Sequence, residues 1–228
     1  MEYVFEPNQI ACVSVLDTST HFPVHRIYCV GQNYADHVRE MGGEPKQAPP
    51  VFFSKPADAI VTDNKDVPYP SATNNLHYEV ELVIALGKGG KNIAADAALD
   101  CVYGYAVGID FTRRDLQAAA KSAGRPWDAA KGFDGSAPIS AINPVARIGH
   151  PSNSVIELSV NGELKQQSNI ENMIWSVAEI IAELSCFFEL APGDLIYTGT
   201  PAGVSAVVAG DSISAAVQDV GEISFKVV

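Results

Sequence analysis

The segment Tyr78-Glu79-Val80-Glu81-Leu82-Val83-Ile84-Ala85-Leu86 sets two carboxylates two residues apart in a run of aliphatic residues. Such a run reads as a buried or half-buried strand. Side chains alternate along a strand, so Glu79 and Glu81 face the same way. Two like charges brought together on an apolar strand raise the free energy unless something compensates them. A hard divalent cation such as Mg²⁺, Mn²⁺ or Ca²⁺ does so through carboxylate oxygens. The same spacing also fits the solvated face of an antiparallel edge strand. Asp110 ends a second apolar stretch, 102–110, and is placed to complete a three-carboxylate site. As a residue flanking a helix it could equally satisfy backbone N–H groups. Three carboxylates with no nearby cysteine favour Mg²⁺ or Mn²⁺, with water or substrate oxygens filling the octahedron.

His37 and Glu40 stand three apart in a short predicted helix and share one face. A carboxylate beside an imidazole orients it and raises its basicity, as a general base for water requires. A surface His/Glu pair has the same spacing. Lys131, in Ala130-Lys131-Gly132-Phe133-Asp134, lies where a glycine lets an ammonium come near a ligand, though a solvated lysine would read alike. Arg113 and Arg114 could bind a substrate carboxylate or face water. Gly199-Thr200-Pro201-Ala202-Gly203-Val204 is a rigid turn offering a hydroxyl and backbone N–H groups. It is not a P-loop, since no Gly-Lys-Ser/Thr follows, and the chain has no GxSxG elbow.

Composition narrows the partners. A net charge of −12 over 228 residues argues against nucleic acid or an anionic membrane surface. It leaves room for an anionic substrate, because a bound metal and a few cations can reverse the field inside a pocket. With 47% hydrophobic and 18% charged residues, the chain can bury a substantial core. Cys12, Cys29, Cys101 and Cys186 are scattered without ligand spacing and read as reduced, mostly buried thiols, so zinc is not expected. No apolar run reaches the ~18 residues of a membrane span. The acidic, proline-broken N-terminus does not read as a signal peptide. The expectation is a soluble, cytoplasmic protein.

Strands must carry these groups. Residues 1–24 read as an N-terminal strand and turn region packed on a single domain spanning 25–228. A strand ending at Gly31, a helix over 33–41, a mobile Gly- and Pro-containing loop over 42–50 and a strand over 51–55 follow. Gly104 and Gly108, inside the 102–110 strand, mark a bend or a close approach. Thr112 is expected to cap a helix running to about Ala123, with Asp115 in a weak capping box. Asn161-Gly162 marks a type I′ hairpin. Ser176 and Glu179 form a capping box opening the longest helix, whose stripe Val177, Ile180, Ile181, Leu184 and Phe187/Phe188 reads as core. Few helices and no regular βαβ alternation argue for a β-rich α+β fold.

Taken together, several motifs resemble the fumarylacetoacetate hydrolase family. They are Tyr28-Cys29-Val30-Gly31-Gln32-Asn33-Tyr34-Ala35-Asp36-His37-Val38-Arg39-Glu40-Met41, Leu76-His77-Tyr78-Glu79-Val80-Glu81-Leu82, Gly108-Ile109-Asp110-Phe111-Thr112-Arg113-Arg114-Asp115-Leu116-Gln117, Ala130-Lys131-Gly132-Phe133-Asp134, Val160-Asn161-Gly162-Glu163 and Leu195-Ile196-Tyr197-Thr198-Gly199-Thr200-Pro201-Ala202-Gly203-Val204. The resemblance spans roughly 22–228 and, within the family, points to bacterial hydrolases of fumarylpyruvate. It implies a mixed β-sandwich or roll with a few helices, and a homodimer. It implies Mg²⁺ or Mn²⁺ on Glu79, Glu81 and Asp110, water activation by His37 and Glu40, and charge stabilisation by Lys131. Arg114, Gln117 and Thr200 would contact the keto-acid end of a small diketo-acid substrate. Gln32 stands where the family often has Arg, and Tyr78 where it often has a second His. The implied reaction is hydrolytic C–C cleavage of an acylpyruvate, with fumarylpyruvate giving fumarate and pyruvate. The alternative is decarboxylation of oxaloacetate or keto–enol tautomerisation of a metal-chelated 2-oxo acid. Closure of the 42–50 segment over the substrate is also expected.

Overall fold

The computed structural model describes residues 2–42 and 49–228. Of the expected closing loop at 42–50, residues 43–48 lie outside the described residues. The centre is a six-stranded mixed sheet in the order Asn143–Pro144, Val102–Ile109, Val80–Leu86, Leu195–Tyr197, Ile27–Gly31, Val51–Lys55. Leu195–Tyr197 runs parallel to Ile27–Gly31 and antiparallel to Val80–Leu86. A second, wholly antiparallel sheet holds Glu163–Asn169, Val155–Val160, Ser212–Val217 and Gly221–Lys226.

The central strand Val80–Leu86 is buried along its whole length. Its alternation sorts the core. Leu82, Ile84 and Leu86 join one apolar cluster with Ile156, Leu158 and Ile213 of the second sheet and Ile180, Ile181 and Leu184 of the long helix. Val83 and Ala85 join another with Val13, Val15, Phe22 and Val24 of the N-terminal region. Each such aliphatic side chain contributes about 1.5–3 kcal/mol when fully buried. The N-terminal strands Cys12–Ser14 and His21–Pro23 thus cover one face of the central sheet.

Gly108 pairs with Glu81 in register. A Cβ there would lie 2.4 Å from the Tyr197 ring and 2.6 Å from Val83, so the glycine does mark a close approach. Asn161 and Gly162 both have positive φ (52° and 80°), as a type I′ turn demands.

The helix Val177–Phe187 opens with the expected Ser176/Glu179 capping box. Its buried stripe stops at Leu184, however. Phe187, the last residue of the helix, and Phe188, its C-cap, are 67% and 38% exposed. The helix after Asp110 also departs from expectation. It spans Arg114–Ser122, with Arg113 rather than Thr112 at its N-cap and no side-chain cap. Thr112 is instead held extended by pairing with His77, which leaves its hydroxyl for another partner. Asp115 accepts from the Asn74 and Leu116 N–H groups and from the Thr73 hydroxyl. Cys29 and Cys101 are buried, whereas Cys12 is part-exposed and Cys186 exposed, so only two of the four thiols are core. Among the described residues, no helix is long and apolar enough to cross a membrane.

Candidate active site

The carboxylates enter from neighbouring backbone. Glu81 lies within Val80–Leu86, Glu79 one residue before it, and Asp110 one residue past Val102–Ile109. The two strands are antiparallel partners, with Val80 opposite Ile109, so the end of one meets the start of the other. The Asp110 N–H donates to the Glu79 carbonyl at 2.8 Å. One oxygen from each of the three residues falls within 4.8 Å of the others. All three are buried, which removes the solvated-face reading of Glu79 and Glu81.

Three cations answer these anions. Lys131 Nζ donates to Glu79 Oε2 (2.9 Å), Asp110 Oδ2 (2.6 Å) and the Thr112 hydroxyl (2.6 Å). Arg114 donates to Glu79 Oε1 and to Gln117 Oε1, the latter at 2.6 Å. Lys55, fully buried, places Nζ 2.8 Å from Asp110 Oδ1 and donates to the Phe111 and Lys131 carbonyls. That approach is off hydrogen-bond geometry, so buried Asp110 Oδ1 has no hydrogen-bond donor. Glu81 Oε2 accepts the Gly199 N–H at 2.7 Å.

The titration directions follow. Burial pushes the Glu79 carboxyl up, but Lys131, Arg114 and His37 outweigh it and hold Glu79 well below the usual carboxylate range. Burial, then Asp110 and Glu79, push Glu81 well above that range, with the Gly199 N–H only partly opposing. Burial disfavours the Lys131 ammonium, yet Asp110 and Glu79 more than compensate and hold it above its ordinary value. One carboxylate is thus short of positive charge and one buried carboxylate oxygen is short of a donor. A hard divalent cation fits both deficits.

His37 is buried on the short helix Ala35–Glu40 and lines the same cleft as Glu79, Glu81 and Asp110. Its Nδ1 meets Glu40 Oε2 at 3.1 Å. Both Glu40 oxygens also accept from the Gly203 N–H, at 3.1 and 3.3 Å. The pair is therefore anchored to the turn after Thr200, and ring Nε2 is left as the proton acceptor. Glu40 stands behind His37 rather than lining the cleft. Arg114, Gln117, Lys131 and Thr200 line it, as do Gln32, Phe53, Lys121 and Trp127. The cleft is partly open to solvent. Arg113 goes elsewhere: its guanidinium stacks 4.3 Å from the Phe133 ring centroid and donates to the Ala129 carbonyl.

Sequence reasoning missed two buried supports. Lys55 closes the strand Val51–Lys55, and its local sequence carries no sign of burial. Gln166, fully buried, accepts the Val80 N–H at 3.1 Å and donates to the Thr200 hydroxyl and the Pro201 carbonyl, both at 2.8 Å. It ties the Glu79 segment to the Thr200 turn, and no sequence signal marks it. Tyr78 is also buried and donates to the Gly203 carbonyl at 3.2 Å.

A strand-borne carboxylate triad with paired lysines, beside a Glu-oriented histidine, fits a hard-cation centre. The family comparison agrees: residues 26–228 match the fumarylacetoacetate (FAA) hydrolase C-terminal model, and the chain belongs to that family of enzymes. It is 48% identical to a fumarylpyruvate hydrolase of Ralstonia sp over 77% of this chain and 91% of that one. It is 44% identical to the mitochondrial oxaloacetate tautomerase of Bos taurus over 88% of this chain and 90% of that one. The crystal structure of fumarylpyruvate hydrolase from Pseudomonas aeruginosa, in complex with Mn²⁺ and pyruvate, superposes with a TM-score of 0.98 at 49% identity, covering 100% of this chain and 99% of that one.

Proposed function

We propose that this protein is an acylpyruvate hydrolase whose substrate is fumarylpyruvate, cleaved to fumarate and pyruvate. The observation that carries the reading is the Glu40-held His37 opening into the same cleft as Glu79, Glu81 and Asp110. Hydrolysis needs such a base to activate water, decarboxylation needs none, and enolisation would turn the same base on a C–H proton. The fumarylpyruvate hydrolases of Ralstonia sp and Pseudomonas aeruginosa support it. The reading includes residues 25–228 as one catalytic domain, Mg²⁺ or Mn²⁺ as the cation, a homodimer and a cytoplasmic setting.

Glu79, Glu81 and Asp110 would hold the cation, which when bound supplies Lewis acidity and a template for a 2-oxo acid. His37 Nε2 takes a proton from water as its oxygen adds to the distal carbonyl. Glu40 keeps the ring oriented throughout. As the C–C bond breaks, its electron pair passes to the pyruvate enolate. Lys131 stabilises that developing charge, and Arg114, Gln117 and Thr200 orient the keto-acid end. The proton held by His37 returns to the products, so water is consumed and one carboxylic acid and one keto acid are released.

The oxaloacetate tautomerase relatives, 44% identical in Bos taurus and 40% in Escherichia coli, favour a second reading in which the same centre enolises oxaloacetate. Wild-type turnover separates the two. Metal-dependent release of fumarate and pyruvate from fumarylpyruvate, lost in His37→Ala and Glu40→Gln, upholds the hydrolase. Wild-type protein that tautomerises oxaloacetate and leaves fumarylpyruvate intact would favour the second.

A further inference from the structure

The charges in the cleft are unevenly committed. Glu79, Glu81 and Asp110 face Lys55, Lys131 and Arg114, and each of those three cations touches at least one of the carboxylates. A fourth cation, Lys121, lines the same cleft from the last turn of the helix Arg114–Ser122. Among the described residues its ammonium has no carboxylate partner within ion-pair distance. Its Nζ instead lies 5.0 Å from the centroid of the Trp127 ring, which is itself 5.8 Å from the Phe53 ring. An ammonium over an aromatic face is held in place yet keeps its charge available. Three carboxylates thus balance three cations, and a bound divalent cation together with Lys121 is surplus. A monoanionic keto acid uses only the part of that surplus at the metal centre. A dianionic one uses both.

We infer that Lys121 binds the distal carboxylate of the substrate, with Phe53 and Trp127 flanking the acyl chain between it and the carboxylate triad. The site is thereby selective for 2-oxo acids ending in a second carboxylate. The inference rests on the acylpyruvate reading for the identity of the ligand, but its test does not need turnover. The pair 2-oxopimelate and 2-oxoheptanoate share a seven-carbon 2-oxo acid and differ only in the terminal carboxylate. Neither carries the second carbonyl that hydrolysis needs.

Calorimetric titration of the Mn²⁺-loaded protein should show 2-oxopimelate binding about tenfold or more tighter than 2-oxoheptanoate, as a charge-assisted contact requires. Lys121→Met should erase that preference, and Lys121→Arg should keep most of it. Circular dichroism checks that the variants fold, which the exposed position of Lys121 favours. Equal affinities in the wild-type protein would overturn the inference. So would a preference that survives Lys121→Met, and its loss in Arg125→Met would then assign the role to Arg125 in the adjoining hollow lined by Phe53 and Trp127. A wild-type protein that prefers the diacid through Lys121 yet cleaves no acylpyruvate would uphold this inference and overturn the hydrolase reading.

Discussion

The two halves of the catalytic cleft are built differently. The carboxylate triad sits at the junction of two long buried strands, with Glu79, Glu81 and Asp110 at most 5% exposed. Every one of them has a charged or backbone partner. His37, the proposed base, sits on a helix of six residues with no side-chain N-cap, and the Glu40 side chain is 35% exposed. Short uncapped helices derive little stability from their own hydrogen bonds. What fixes this one is the buried His37 and Val38 and the Gly203 N–H that reaches Glu40. A charged cluster must be rigid to hold a cation against its own repulsion. A proton-transfer arm needs only its orientation fixed, and one carboxylate linked to another turn does that.

Substitutions in each half should therefore fail differently. Asp110→Asn removes the charge from a buried carboxylate whose Oδ1 lacks a hydrogen-bond donor, so, if it holds the cation as proposed, both Mn²⁺ affinity and hydrolysis should fall by about 100-fold. Calorimetry and a coupled pyruvate assay read the two effects, and unchanged affinity would dissolve the contrast between the halves. His37→Ala should lower kcat by about 10²–10⁴-fold while Mn²⁺ binding stays close to wild type. A matching loss of metal affinity would mean that the arm and the triad are one unit.

Lys55→Met tests the buried support of the triad. Removing one partner of a buried ion pair costs about 3–5 kcal/mol, read as a lower Tm in metal-free protein. Saturating Mn²⁺ should restore part of that loss, because it supplies the missing positive charge near Asp110. No change in Tm would show that Lys55 does not answer Asp110. Ser176→Ala, remote from the cleft, should remove the capping box of the long helix for about 1 kcal/mol. Its effect should be confined to Tm, with kcat and KM as in wild type.

The parts of the site readable from sequence are those set by local geometry. Glu79 and Glu81 share a face through the two-residue repeat of a strand, and His37 meets Glu40 through the three-residue step of a helix. The Ser176 capping box and the Asn161-Gly162 turn were legible for the same reason. Contacts across the fold were not. Gln166 meets Val80 across 86 residues, and Lys55 meets the Phe111 carbonyl across 56. Nothing in their local sequence marks either as buried. Thr112 shows a local rule overridden: its type suits a helix cap, but pairing with His77 and the nearby Lys131 ammonium give its hydroxyl another partner. The apolar stripe misled at its end, since helical spacing continues to Phe187 while the core does not.

The central claim is that water, activated at His37, adds to the acyl carbonyl. Cleavage of fumarylpyruvate in H₂¹⁸O with Mg²⁺ tests it most directly. The account predicts fumarate and pyruvate in equal amounts, with one ¹⁸O in the newly formed fumarate carboxylate. Unlabelled fumarate, or intact fumarylpyruvate alongside rapid conversion of oxaloacetate, would contradict it.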